Sequence, residues 1–453
     1  MTAALAFAPI TQLTRQLRNG EIGATQLIEH YADRIARFAD ISKAFISLDL
    51  ERARAKAGVI DADFEAGAEL NGIPYACKDL FDVQGLLTTG GSRVLADNIA
   101  PRDAAAVRRM DRAGAIFIGK NNLHEFAYGA TGENEIYGTP PNPYDATRLA
   151  GGSSSGSAAA VGYDLCAAAL GTDTGGSVRA PAALCGLVGF KPTCGRIDTE
   201  GVIPFSWSLD HVGTLTRSAA DAAILFETLV PDYRRPAAAR LDGMTLGIPQ
   251  AFFFERCDGE ILDSVDRLMH FLRTAGALLK PVTLPSMEYT RSVSLAVQMP
   301  EALSYHNRYL EQRGELYSRD FRAGLALGQC LLAEQYIRAK RFIETYRRDL
   351  NAVFEQVDTI LTPATPTIAP PIGAVEISIA GCVEPAGNAI TRYTSFFNMT
   401  GHPALTFPCG LHSAGLPIAA QLIGAHHADE ALITSAMLIE QEYDFVLPPP
   451  QIS

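Results

Sequence analysis

The chain has a single tryptophan, no excess of positive charge, and no apolar run approaching the length of a membrane span. Lys and Arg total 38 against 50 Asp and Glu, giving a formal net charge of −12 and a pI near 5.3. That balance argues against nucleic acid or an anionic membrane as a partner. The first residues, Met1 to Pro9, are apolar but lack a basic region and a cleavage site, so a cytoplasmic protein is expected. The eight cysteines, at 77, 166, 185, 194, 257, 330, 382 and 409, include no CxxC pair and no set placed beside histidine as zinc ligands are. They read as reduced core cysteines, and no metal site is expected.

What is present is a long chain, 453 residues with 47% apolar side chains and 39 glycines. It is enough for a sizeable core in one to three domains. Residues 10–38 carry Leu13, Leu17, Leu27, Ile28, Tyr31 and Ile35 at helical spacing, interrupted by Gly20 and Gly23; a further helix is expected over 49–63. From Leu70 to about Leu229 short apolar runs alternate with Gly-rich turns and Ala-rich helices. Such runs are 72–77, 115–119, 165–170 and 187–190. This is the texture of an α/β sheet with crossover helices. Residues 231–241, rich in Pro, Ala and Arg, read as a linker. A strand is expected at 244–248, a helix at 259–277, mainly helix over 287–356, a strand at 359–363, a Pro-rich loop at 363–371, and two strands in 400–424 split at Ser413–Gly415. The expected organisation is one mixed α/β domain over 1–453. Its parts are N-terminal helices at 10–63, a core at 65–230 and 357–453, and a variable helical insertion at about 250–356.

Two Ser-Gly segments carry the chemistry. The first, Gly151-Gly152-Ser153-Ser154-Ser155-Gly156-Ser157, runs straight into Ala158-Ala159-Ala160-Val161, so it is not a flexible linker. It also lacks the lysine of a phosphate loop. In the second, Gly171 to Pro181, Ser177 follows Gly175 and Gly176, whose missing side chains let a substrate carbonyl approach the backbone. The N–H groups of Thr174, Gly175, Gly176 and Ser177 can then point inward as an oxyanion hole, each such donor contributing roughly 3–4 kcal/mol to transition-state stabilisation. A hydroxyl there needs a base. None of the nine histidines has a suggestive setting; His124 and His211 are the nearest candidates. Lys78 ends an apolar strand, where burial would lower its pKa toward that of a usable base, although a surface lysine following a strand is the alternative.

Residues 151–182, with the Gly-Gly-Ser-Ser start, the Gly-x-Asp-x-Gly-x-Ser core and the Arg179-x-Pro181 end, resemble the amidase signature. The lysine segment 72–92, the Glu-Phe-Ala loop at 119–132, and 187–195 and 396–408 resemble further family segments. The chain is thereby identified as a member of the amidase signature family, over roughly 10–230 and 357–440. The resemblance implies the family's fold, a large mixed β-sheet covered by helices on both faces. It implies that Ser177 is the acyl-forming nucleophile and Lys78 the base. Ser153, in a cis peptide after Gly152, is the implied relay between them. Asp173 and Arg179 are implied to shape the loop. Tyr128, Gly129 and Thr131 are implied to border the acyl pocket, and no cofactor is needed. Position 155, normally Gly, is Ser here.

The implied reaction is cleavage of a small amide or urea-like C–N bond, a hydrolase acting on linear amides through an acyl-enzyme and releasing ammonia or an amine. Two other readings remain. One is the glutaminase (A) subunit of a tRNA-dependent amidotransferase, whose Ser-Asn-Leu-Ala-Arg stretch is absent; Glu301-Ala302-Leu303-Ser304 stands in its place. The other is a non-catalytic scaffold. The partner expected is a small-molecule amide, with a homodimer or a small partner subunit left open. Arg291, His306, Arg308, Tyr309, Arg338 and Arg341 are the side chains in the helical insertion open to a substrate carboxylate, though for any single one a solvated helix face is the favoured reading.

Overall fold

In a computed structural model of the chain, residues 5–64, 67, 70–234, 239–285 and 287–451 are described. The expected linker 231–241 therefore lies partly outside them, as does residue 65, the expected start of the core.

The strands in chain order are β1 (Phe45–Leu48), β2 (Pro74–Lys78), β3 (Ile116–Asn121), β4 (Ala168–Asp173), β5 (Val188–Lys191), β6 (His211–Thr216), β7 (Thr245–Pro249), β8 (Leu278–Val282), β9 (Thr359–Pro363), β10 (Glu376–Ile379), β11 (Cys382–Pro385), β12 (Ala404–Leu411) and β13 (Pro417–Gly424). Eleven of them form one sheet in the order β1-β3-β2-β4-β6-β5-β12-β13-β9-β7-β8, and β10 and β11 form a separate hairpin. Pairing is parallel for β3-β2-β4 and for β9-β7-β8. Between β4 and β9 it is antiparallel. The mixed sheet is thus as expected, flanked by helices.

Burial explains the alternation read in the sequence. Strands β2, β3 and β4 are buried at every position, so their sequences are apolar runs rather than alternating patterns. The helix Ser155–Gly162 packs against β2, β3 and β4, and each of its residues is buried. Only alanine, glycine, serine and one valine fit so close to the sheet. The N-terminal helices are Ile10–Arg18 and Ala24–Ser42, broken where Gly20 takes φ +68°. The span 250–356 is helical at Gly259–Thr274, Thr290–Arg313, Arg319–Cys330 and Ala333–Val353. It also contributes β8, an edge strand of the main sheet. Five cysteines are buried, Cys382 is half-buried, and Cys194 and Cys330 are exposed; all eight are free thiols. Among the described residues no helix is long and apolar enough to cross a membrane.

Candidate active site

The parallel pair β2 and β4 ends at Lys78 and Asp173, so the carboxyl ends of two central strands open into one place, the usual location of a ligand crevice in such sheets. Lys78 is fully buried. Its Nζ donates to Ser153 Oγ at 2.7 Å and to Thr172 Oγ1 at 2.9 Å. Burial is the main influence on this amine and lowers its pKa to about 7, against the opposing pull of the Asp210 and Asp173 carboxylates. A lysine of that kind is a base at neutral pH.

Ser153 sits on the Gly-rich turn that enters the helix Ser155–Gly162, and its peptide with Gly152 is cis. Its carbonyl accepts from His124 N–H at 3.1 Å, and Ser154 N–H donates to the carbonyl of Ser177 at 3.2 Å, which ties the two serine segments together. The hydroxyls of Ser153 and Ser177 are not hydrogen-bonded to each other. Ser155, the departure from the family pattern, donates to the Gly132 carbonyl at 3.1 Å and so anchors the 128–132 loop.

Ser177 stands at the head of the helix Arg179–Leu184. Asp173 gathers the preceding turn: it accepts from the N–H groups of Gly176, Val178 and Arg179 at 2.8, 3.1 and 3.2 Å. Arg179 closes on it through Nε at 3.1 Å and Nη2 at 3.0 Å. Burial alone would raise the Asp173 carboxyl, but the Arg179 charge and hydrogen bonds hold it far below the usual carboxylate range. One expectation is corrected here. Gly176 was expected among the oxyanion donors, but its N–H is already taken by Asp173 Oδ1. The N–H groups that remain for a carbonyl oxygen are those of Thr174, Gly175 and Ser177. Gly176 is needed for shape instead: φ is +126°, and a Cβ there would overlap Thr394 Oγ1, whose hydroxyl donates to the Gly175 carbonyl at 2.7 Å.

Tyr128 and Gly129 lie on a loop packed against Gly152. The Tyr128 ring meets Phe205 and Phe321, at centroid distances of 6.1 and 5.4 Å. The His124 ring occupies the place of a Gly129 side chain. Thr131 is half-buried on the same loop. Of the basic residues proposed for a carboxylate, His306 is buried against Phe126 and bonds Tyr317 at 3.0 Å. Arg308 stacks on Tyr305 and Tyr309, and Arg338 pairs with Glu334 on the surface. Arg341 is exposed on the helix Ala333–Val353. Arg291, at the start of the helix Thr290–Arg313, feels the Tyr128 phenol and is partly desolvated. Among the described residues it has no carboxylate partner.

Several participants had no local signal. Thr172 shares the Lys78 amine, Asp210 holds the Thr174 hydroxyl at 2.5 Å, and Asn398 and Gln421 bind Arg179 at 2.6 and 2.8 Å. Among the described residues no histidine ring hydrogen-bonds to Ser153 or Ser177. His211 is fully buried, with Nδ1 2.7 Å from the Leu209 carbonyl, and burial holds it neutral. No group of three His, Cys, Asp or Glu side chains placed to hold a metal ion occurs among the described residues. A cavity of about 680 Å³ is lined by Trp207, Glu301, Leu303, Leu332 and Tyr336 among others, and Lys78, Ser153 and Ser177 do not line it.

A sequence model described as Amidase matches residues 26–433. The A subunit of the glutamyl-tRNA(Gln) amidotransferase of Coxiella burnetii is 35% identical, over 98% of this chain and 99% of that protein. A crystal structure of an amidase superposes with a TM-score of 0.91 at 34% identity, covering 96% of this chain and 99% of that one. The crystal structure of the amidotransferase A subunit from Thermotoga maritima superposes with a TM-score of 0.81 at 30% identity, covering 95% of each.

Proposed function

The chain belongs to the amidase family, and from that premise we propose that it hydrolyses the C–N bond of a carboxamide through an acyl-enzyme on Ser177, with Lys78 as base and Ser153 as relay. The observation that carries the reading is the buried Lys78, whose Nζ lies 2.7 Å from Ser153 Oγ and whose pKa burial lowers to about 7. With the amine neutral, the same contact carries the Ser153 proton to Nζ. A rotation of the Ser177 side chain completes the path, since such contacts tighten when substrate arrives. Ser177 Oγ then bonds to the amide carbon, and the oxygen takes up charge against the N–H groups of Thr174, Gly175 and Ser177. The proton returns through Ser153 to the leaving nitrogen, and water attacks the acyl-enzyme along the same path. Tyr128, Gly129 and Thr131 border the acyl side in this reading. The whole chain acts as one amidase domain, without cofactor and in the cytoplasm.

Which amide is the finer question, and two readings share the chemistry. The free hydrolase of a small linear amide draws on the fit to the solved amidase, with its TM-score of 0.91 against 0.81 for the amidotransferase component. The reading as a glutamine-hydrolysing component draws on the curated relative, which matches nearly end to end as the A subunit of an amidotransferase. That match weighs more for this second reading than the missing Ser-Asn-Leu-Ala-Arg stretch weighs against it. Arg291 is available to the carboxylate of glutamine or of any other acidic amide. Ammonia release over a panel that includes glutamine and neutral amides separates the two, and co-purification reports whether another polypeptide is bound. Failure of a fluorophosphonate to acylate the chain, together with no ammonia release, would end both.

A further inference from the structure

The site holds a carboxylate that the reaction as drawn does not use. Asp210, just before β6, is half-buried, and no lysine, arginine or histidine among the described residues pairs with it. Its oxygens accept instead from Thr174 Oγ1 at 2.5 Å, from Phe205 N–H at 2.9 Å and from Ser206 N–H at 3.0 and 3.1 Å. The turn that supplies those N–H groups is fixed from its other side: Glu301 Oε2 accepts from Ser206 Oγ at 2.7 Å and Ser208 N–H at 3.0 Å. Glu301 Oε1 accepts from the Ser208 hydroxyl and from Tyr336 OH, the latter at 2.8 Å. A chain of hydrogen bonds therefore runs from Glu301 through Ser206 and Asp210 to Thr174, the first residue of the oxyanion segment.

A carboxylate held partly out of water with no cation is costly, and a positive charge that arises nearby offsets that cost. Lys78 is such a charge. When Ser177 Oγ bonds to the amide carbon, its proton moves to Ser153 and that of Ser153 to Lys78, which becomes a buried ammonium until the proton passes on to the leaving nitrogen. The carboxylates that act on Lys78 are Asp210 and Asp173. Asp173 is already matched by Arg179 at 3.0 Å. Asp79, the chain neighbour of Lys78, is matched by Lys120 at 2.7 Å. The other groups against Asp210 and Asp173 are the Glu301 carboxylate, the neutral His211 ring and the buried Lys191, whose Nζ donates to the carbonyls of Pro192 and His402 at 3.0 and 2.6 Å. Burial raises the Asp210 pKa, and of the carboxylates that act on Lys78 it is the one with no cation of its own among the described residues.

We propose that Asp210 is a positioning residue of the amide-cleaving site, holding the Thr174 hydroxyl so that the oxyanion segment keeps its shape and supplying the counter-charge for the ammonium that Lys78 becomes. The inference rests on the proposed roles of Lys78 and Ser177. It adds a device by which one carboxylate serves both the proton path and the oxyanion segment.

The test is the pH dependence of kcat/KM for wild type, Asp210→Asn and Asp210→Ser on one amide from the panel, with folding followed by circular dichroism. Removing the counter-charge disfavours the Lys78 ammonium, so the rising limb should move toward acid by about one pH unit while the plateau falls about 10- to 100-fold. A limb that stays at its wild-type position, or moves toward alkali, overturns the proposal. Thr174→Val, which keeps the Asp210 charge, should lower kcat about 10-fold without moving the limb, and Thr174→Ser should restore it. An unaffected Thr174→Val enzyme overturns the positioning role even if neither Asp210 variant folds. Lys78→Arg run alongside separates the causes: if that variant is active, the base assignment has failed, whereas a dead Lys78→Arg with an unshifted Asp210→Asn limb rejects Asp210 alone.

Discussion

Asp173 and Arg179, six residues apart and on either side of the Gly175–Gly176 turn, form an ion pair whose two side chains are both shut off from solvent. The pair does not stand alone. Asn398 Nδ2 donates to Asp173 Oδ1 at 2.8 Å, and its carbonyl oxygen accepts from Arg179 Nη2 at 2.6 Å, so one amide bridges both charges. Gln421 accepts from the remaining Arg179 Nη1 at 2.8 Å. The turn that presents Ser177 is thereby fixed to β13 and to the helix Ser395–Thr400.

Breaking this pair from one side should cost more than removing it. Arg179→Met leaves Asp173 buried and charged, and should destabilise the protein by about 3–5 kcal/mol in denaturant unfolding at neutral pH. Arg179→Met with Asp173→Asn should lose less than Arg179→Met alone. The pH dependence has a definite sign. Arg179 depresses the Asp173 pKa in the folded state, so its contribution is full above the ordinary carboxyl value and is lost as pH falls. The gap between wild type and Arg179→Met should therefore begin to narrow below about pH 4 and close only deeper in acid, toward the depressed Asp173 value. A constant gap across the acid range would remove Arg179 as the cause.

The relay makes a sharper kinetic prediction. Ser177→Ala should abolish labelling by a fluorophosphonate, and Ser153→Ala should lower kcat by about a thousand-fold or more, because both hydroxyls lie on one proton path. Groups that act as a unit are not additive, so the double variant should be little worse than Ser177→Ala. Near-full turnover by Ser153→Ala would show that Lys78 reaches the nucleophile by another route.

How much of this is legible in the sequence follows from where each partner lies in the chain. Lys78, Ser153 and Ser177 stand out because glycine-rich turns and a buried strand end leave marks within a few residues. The strand expected at 359–363 and the helix expected at 259–277 rest on local pattern alone and lie at Thr359–Pro363 and Gly259–Thr274. Asn398 and Gln421 reach Arg179 across 219 and 242 residues, and a single amide in an apolar run gives no sign of such a partner. Gly176 falls to the oxyanion hole on sequence grounds because no local rule says that the Asp173 carboxylate competes for its N–H. Strands β1 and β8 are short sheet edges whose residues, Val282 apart, are half-buried or exposed, so neither alternates cleanly. The helix Asp429–Glu442 is absent from the expected elements although Leu432, Ile433, Ala436 and Ile439 do keep helical spacing and are buried.

Glycine 176 offers a test of shape without charge. Its φ of +126° lies where a side chain is strained, and an added methyl would meet Thr394 Oγ1. Gly176→Ala should therefore displace Thr394 from the Gly175 carbonyl and lower kcat by about a hundred-fold or more, with little change in KM. Opening space with Thr394→Ala should relieve the clash but not the backbone strain, so the double variant should recover only part of the loss. Full activity in Gly176→Ala would mean that the turn reshapes freely and that its geometry does not matter to turnover.

The Lys78 prediction rests on burial and sign together. An unperturbed lysine with a pKa near 10.4 is neutral in well under about one part in a thousand at pH 7, too little to serve as base. Burial lowers the Lys78 value to about 7, so at that pH about half of the chains carry the neutral amine. The active form is the deprotonated one. Activity should consequently be low in mild acid, rise through about pH 7 and level off on the alkaline side, with kcat/KM following the free enzyme. Arginine keeps its proton throughout this range, so Lys78→Arg should be as inactive as Lys78→Ala even though the charge is retained. The measurement is the kcat/KM profile from pH 5 to about pH 10 for wild type and both variants, each checked for folding by circular dichroism. A folded Lys78→Arg enzyme with wild-type turnover, or a profile that falls rather than rises through neutrality, would remove Lys78 as the base and turn the search to another proton acceptor near Ser177.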